Sequence, residues 1–191
     1  MNAATITSLF WCVFIGYWII SAVSAKKNVQ NKWNLWGVGI RVITLVVVIV
    51  ILRTVGVKNF FGGSSPLSSG PSNMAVAILG VVLCGLGIGL AIWARVHLGR
   101  NWGMPMSHKK DPELVTSGPY SLIRHPIYTG VFLAAVGSIL TTGLLWLLLL
   151  IVMGIYFIYS AGEEEKIMTA AFPDQYPAYK ARTKMLIPYI F

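Results

Sequence analysis

Charge is scarce in this sequence. Only 11% of its 191 residues are Asp, Glu, Lys or Arg, against 56% in the apolar and aromatic classes. A soluble domain carries about 25% charged residues, so a water-soluble globule is excluded, and a chain this apolar does not stay disordered. Acids are scarcest: there are six, all beyond residue 110. Residues 1–25 hold no charged side chain at all. There are two cysteines, Cys12 and Cys84. Both lie in apolar runs and read as packing residues rather than a disulfide or a metal site. No zinc-protease motif, phosphate loop, nucleophile elbow or internal repeat is present. His97 and His108 stand too far apart, and too poorly matched with acids, to argue for a metal. What is there in excess is basic charge, a formal +9. The basic residues sit between apolar runs, which points to a bilayer and away from nucleic acid.

The apolar runs are long enough to cross that bilayer. The first, 1–25, reads as a membrane helix. Its end, Ala22-Val23-Ser24-Ala25, resembles a signal cleavage site, but the basic segment that opens a signal peptide is missing. A second span covers 33–57, with Arg41 and Arg53 able to snorkel from its ends. A third covers 75–94. The uncharged stretch from Pro126 to Gly162 is too long for one crossing and suits a hairpin turning at Thr141-Thr142-Gly143. The fold class is therefore an all-α integral membrane protein with about five transmembrane helices; a four-span version stays open. Segment 1–73 forms an N-terminal two-helix unit with a flexible Gly/Ser/Pro linker over 62–72, and 74–191 forms the core. Twelve of the fifteen basic residues then fall on one side, which places the C-terminus in the cytoplasm and the N-terminus outside.

Polar chemistry collects in two cytoplasmic pieces, 95–125 and the tail from 163. Both ends of a membrane hairpin emerge on the same side, so the 126–162 hairpin brings these pieces together. Arg124 and His125 stand at its entry, just before Pro126, which suits a first helical turn. Glu163-Glu164-Glu165 stand at its exit, with the helix running on to Ala171. Three consecutive carboxylates cannot all face one way; one or two point at the hairpin mouth or form a solvated helix face. Tyr176 and Tyr179 have helical spacing and suit an amphipathic helix on the membrane surface. Arg182 is a candidate anion clamp or a lipid-phosphate contact. Gly85-Leu86-Gly87-Ile88-Gly89 is a small-residue stripe for close helix packing.

The stretch LVTSGPYSLIRHPIYTG, Leu114 to Gly130, resembles the signature of the isoprenylcysteine carboxyl methyltransferase family, which is related to the phospholipid N-methyltransferases. EEEKIMTAAFPDQYPAYKARTKMLIP, Glu163 to Pro188, is similar to the second half of that signature. The resemblance implies an integral membrane enzyme that uses S-adenosylmethionine, leaves S-adenosylhomocysteine, and admits a lipid-like acceptor from the bilayer. It places Leu114, Val115, Gly118, Tyr120, His125, Pro126, Tyr128, Glu164 and Glu165 in a cytosolic cofactor pocket. It makes Arg124 and Arg182 candidates for holding an acceptor carboxylate, with Glu164 beside them at the reacting centre. Gly85 and Gly87 match a Gly-x-Gly that the phospholipid enzymes associate with the cofactor. Pro173 stands where the family usually has Gly, so the turn before Tyr176 must differ. Expected partners are the acceptor and membrane lipids, with no nucleic acid, protein partner or metal evident. The membrane is the plasma membrane in a prokaryote or the endoplasmic reticulum in a eukaryote. A phospholipid or other small-lipid N-methyltransferase and an NADPH-dependent membrane reductase are the alternatives.

Overall fold

The computed structural model describes residues 1–22, 73–102, 113–143 and 145–191. The expected span 33–57, the linker 62–72, Lys26, Lys27, Lys32, His108, Lys109 and Lys110 lie outside the described residues. The described chain is helical: α1 (Ala3–Ala22), α2 (Met74–Leu98), α3 (Pro126–Thr142), α4 (Leu145–Ala171) and α5 (Tyr176–Arg182), with 3-10 turns at Gly99–Asn101 and Gly118–Ser121. Among the described residues no strand forms, and the chain is an all-α membrane protein. α1, α2 and α4 are each long and apolar enough to cross a bilayer, and α3 is a shorter apolar helix of 17 residues.

Local sequence sets the helix ends. Asn73 caps α2, its side chain accepting from Ala75 N at 2.8 Å. This adds a residue to the expected start, and α2 runs a turn past the expected end to Gly99. The hairpin turns where its composition predicts. α3 stops at Thr142, and Gly143, at φ 108°, takes a conformation that suits only glycine. α4 then continues unbroken through Glu163–Glu165 to Ala171, as the sequence implies. Residues 114–117 are irregular. Strand-like pairing appears later, as a single parallel bridge between Ile123 and Lys184.

Antiparallel α2 and α3 pack almost backbone to backbone. Gly87 faces Gly130 and Ala134, while Gly137 faces Gly80 and Cys84. Ala91, Ala94, Ala134 and Ala135 fill the remaining seam. Gly85 instead packs against the Phe10 ring of α1. The structure thus gives Gly85 a packing contact with α1 and Gly87 one with α3. Trp11 fixes α1 to the hairpin. Its ring stacks on Trp146 at 5.1 Å and its Nε1 donates to Ser138 Oγ at 2.9 Å. Arg95, buried near the end of α2, donates to Ser21 O of α1 and to Gly99 O, both at 2.7 Å, and lies over the Trp102 ring. Its carbonyl partners tie the ends of two helices, a role its place among basic flanking residues does not reveal.

Candidate functional site

The polar cluster stands where the two ends of the α3–α4 hairpin meet. On the α3 side, Pro126 occupies the first helical turn and is fully buried, so His125 is held as its N-cap at the helix mouth. On the α4 side the 3.6-residue period divides the carboxylates. Phe157, Ser160, Ala161 and Glu164 face α3, while Glu165 turns toward the C-terminal tail.

Glu164 meets the α3 face. Its Oε1 accepts from Tyr128 OH and from Ser160 Oγ, and its Oε2 lies 3.5 Å from His125 Nδ1. The rings of His125, Tyr128 and Phe157 form one stack, with centroids 5.4 and 4.3 Å apart and planes within 10° of parallel. The Glu164 side chain keeps 28% of its surface exposed, whereas Glu165 keeps 3%. Glu165 is the hub of the ion-pair network. Arg124 Nε donates to its Oε1 and Lys180 Nζ reaches its Oε2, both at 2.7 Å, while His125 Nε2 stands 3.5 Å from Oε1. Arg124 also donates to the Thr183 and Lys180 carbonyls.

Backbone pairing brings the tail to this place. Arg124 N donates to Lys184 O at 2.8 Å and His125 N to Met185 O at 3.1 Å. Tyr176 and Tyr179 are buried, and Tyr179 OH donates to Tyr120 O at 2.7 Å. Burial pushes the Tyr179 phenol up to about 12, which keeps it a neutral donor. α5 therefore turns its aromatic face to the protein and not to the bilayer, as its spacing suggests; helical period alone does not say which apolar surface the face meets. Gly118 has φ 58°, and a Cβ there would stand 2.4 Å from His97 Nε2, so only glycine lets this connector lie against α2.

The candidate residues therefore divide. Tyr128 and His125 stack and both meet Glu164, and His125 also faces Glu165, while Tyr120 is buried with its carbonyl accepting from Tyr179. Pro126 follows His125 and is fully buried, and Leu114 and Val115 are partly buried on the connector before Gly118. The Arg124 guanidinium is occupied by Glu165 and two carbonyls. Arg182 is exposed and lies over the Tyr179 ring. Lys180, Ser160 and Thr183 belong to the cluster and were not singled out from sequence. Ser160 carries a signal, four residues before Glu164 on the same helical face; Lys180 and Thr183 carry none. A cleft of about 580 Å³ opens beside Glu165, lined by Gly162, Lys166, Thr169, Ala170, Lys180 and Met185.

His125 links charge to stability. Burial opposes charging its imidazole, but Glu164 and Glu165 more than offset that, so its pKa lies above the usual 6.5. A folded-state pKa raised above the unfolded one stabilises fully below the unfolded value, and the benefit fades as pH climbs through the folded value. The melting temperature is expected to fall from pH 6.5 upward, and His125→Gln to flatten that slope; thermal melts across this range in one detergent check it.

Comparison with known proteins adds the following. The family described as phospholipid methyltransferase matches residues 75–175. The Schizosaccharomyces pombe protein-S-isoprenylcysteine O-methyltransferase is 34% identical over 112 residues, 56% of this chain and 47% of that protein. The cobalt-zinc-cadmium resistance protein CzcN of Cupriavidus metallidurans is 34% identical over 106 residues, 54% of this chain and 46% of its own. Methanethiol S-methyltransferase 1 of Bradyrhizobium diazoefficiens is 37% identical over 79 residues, 41% of this chain and 27% of its own. The chain spans about half the length, or less, of these relatives.

Proposed function

The chain belongs to the phospholipid methyltransferase family, and from that premise we propose that the hairpin mouth transfers a methyl group from S-adenosylmethionine to a lipid-like acceptor carrying a carboxylate. The observation that carries this reading is Glu164. It is a partly exposed carboxylate fixed by Tyr128 and Ser160 beside a flat stack of three rings. Its Oε2 faces His125 Nδ1 at 3.5 Å, and His125 Nε2 lies buried 3.5 Å from Glu165 Oε1. Such a set fits a ligand with an ammonium, hydroxyl groups and a planar base. Glu164 would hold the ammonium or ribose hydroxyls. His125, Tyr128 and Tyr120 would position the nucleoside or methionine portion, with Pro126, Gly118, Val115 and Leu114 shaping the wall and Glu165 holding the frame. The cofactor, when bound, supplies an electrophilic methyl on a sulfonium.

Methyl transfer asks the protein for alignment more than for acid–base chemistry. The two carboxylates beside the His125 imidazole favour its protonated form, which makes it a poorer proton acceptor. That favours an acceptor already ionised, a carboxylate, over an amine that must first lose a proton. Arg182, exposed on α5, is the better acceptor clamp, since the Arg124 fork is filled. The cleft between Lys180 and α4 gives an acceptor head room to approach. The excess of basic residues between the apolar runs supports a cytoplasmic site with the N-terminus outside.

Titration of the detergent-solubilised protein with S-adenosylhomocysteine tests the reading. Glu164→Gln is expected to weaken binding by roughly 10- to 150-fold, the value of one charge-assisted hydrogen bond of about 1.5–3 kcal/mol. Incubation with labelled cofactor and lipid extract should give a methylated lipid ester. Absence of S-adenosylhomocysteine binding to the wild-type protein would reject the site.

A further inference from the structure

Residues 187–191 carry apolar side chains that the fold leaves uncovered. Ile187, Tyr189, Ile190 and Phe191 are all exposed, Tyr189 at 86% and Ile190 at 75%. They are not a loose end. Leu186 N and Ile187 N both donate to Phe191 O, at 2.7 and 2.6 Å, while Ile190 N and Phe191 N donate back to Ile187 O at 3.1 Å. The segment is a closed hook that satisfies these backbone groups internally and turns its side chains outward. Water does not favour that arrangement, but lipid demands it.

The place of the hook says what covers it. Leu186 packs against Tyr128 and Ala161, and its carbonyl accepts from Thr129 Oγ1 at 2.6 Å. Thr129 lies in the first turn of α3. That helix has 17 residues, about 26 Å at 1.5 Å per residue, which is less than the roughly 30 Å hydrocarbon thickness. Its first turn therefore lies near one boundary of the apolar layer, and the hook leaves the protein at that depth. Just before it come Lys180, Arg182 and Lys184, all exposed. Tyr and basic residues flanking an apolar patch suit the headgroup boundary, and the charge suits anionic lipid.

We propose that residues 187–191 are an interfacial anchor that inserts into the anionic cytoplasmic leaflet and thereby clamps the tail against the site. The clamp acts through Lys184 and Met185, whose carbonyls hold the Arg124 and His125 amides. This holds whatever reaction the site performs, because it rests on the membrane setting alone.

The test uses the full chain with Cys12→Ser and Cys84→Ala, reconstituted in phosphatidylglycerol/phosphatidylcholine vesicles. An environment-sensitive fluorophore is attached at Ile190→Cys or, as a water-facing reference, at Asp174→Cys. The probe at 190 is expected to be quenched by brominated lipid and to resist aqueous iodide severalfold better than the probe at 174. Pure phosphatidylcholine vesicles should reduce that protection. Iodide quenching equal at both positions overturns the anchor. Shielding from both quenchers overturns it too, since protein would then be covering the hook. In a Tyr189→Glu/Ile190→Glu variant that still inserts, hydrogen exchange of the Arg124 and His125 amides should rise severalfold. Unchanged exchange would overturn the clamp.

Discussion

Glu165→Ala is expected to disable the site and destabilise the whole hairpin mouth. The carboxylate is buried, and three cationic or cation-ready groups converge on it: Arg124, Lys180 and His125. The Arg124 side chain is only 8% exposed, so removing its partner strands a guanidinium away from water. Breaking one half of a buried pair costs about 3–5 kcal/mol, and the tail loses its ionic tie to α4 as well. That is roughly a ten-degree or larger fall in melting temperature for a chain of this size. S-Adenosylhomocysteine binding should be lost with it, because His125 and the Arg124–Thr183 contact share the same carboxylate. Lys180→Gln is the informative contrast. Lys180 is exposed, and a solvent-screened partner contributes about 1 kcal/mol or less. Thermal melts and ligand titration on both variants, with Glu165→Gln to restore the shape without the charge, separate a buried frame from a surface pair. A Glu165→Ala protein that melts and binds like wild type would remove Glu165 from its place at the centre.

Why Arg124 reads ambiguously in the sequence is the same physics. A basic residue before an apolar helix is an anchor by composition and a ligand clamp by resemblance. Its actual partner lies 41 residues away, and no period or motif links the two. By contrast, the hairpin turn, the run of α4 through the three glutamates and the place of His125 ahead of Pro126 follow from local signals: a glycine, an uncharged length, a proline in the first turn. Those signals also brought both ends of the hairpin together. They left out which face each carboxylate takes, since a one-residue step on a helix turns a side chain by about 100°. They also misplaced Tyr176 and Tyr179, because lipid and protein interior look alike to a helical period. The tail's register against Ile123–His125 is carried by backbone hydrogen bonds, which leave no mark on side-chain composition.

The second large effect lies in the seam beneath the site. A methyl added at Gly87 would stand 2.4 Å from Ala134 N and 2.5 Å from Gly130 O, and one at Gly137 would stand 2.4 Å from both Cys84 N and Gly80 O. These neighbours are backbone, so no side chain can rotate aside, and α2 and α3 must separate. Overpacking costs about 1–3 kcal/mol where side chains give way, and backbone obstruction belongs at the upper end or beyond. Gly87→Ala and Gly137→Ala are each expected to lower the melting temperature by roughly six degrees or more. Gly89→Ala is the control: nothing lies within 4 Å of its Cβ, and alanine favours a helix over glycine by up to about 1 kcal/mol. The two damaging variants should differ in function. Gly87 presses on Gly130, five residues past His125, whereas Gly137 sits about 18 Å along α3 from it at 1.5 Å per residue. Spreading the seam at Gly87 moves His125 and Tyr128 away from Arg95 and His97, while spreading it at Gly137 opens the far end near the turn. At equal loss of melting temperature, Gly87→Ala is expected to weaken S-adenosylhomocysteine binding more than Gly137→Ala. The reverse order would mean that the ligand does not sit at the hairpin mouth.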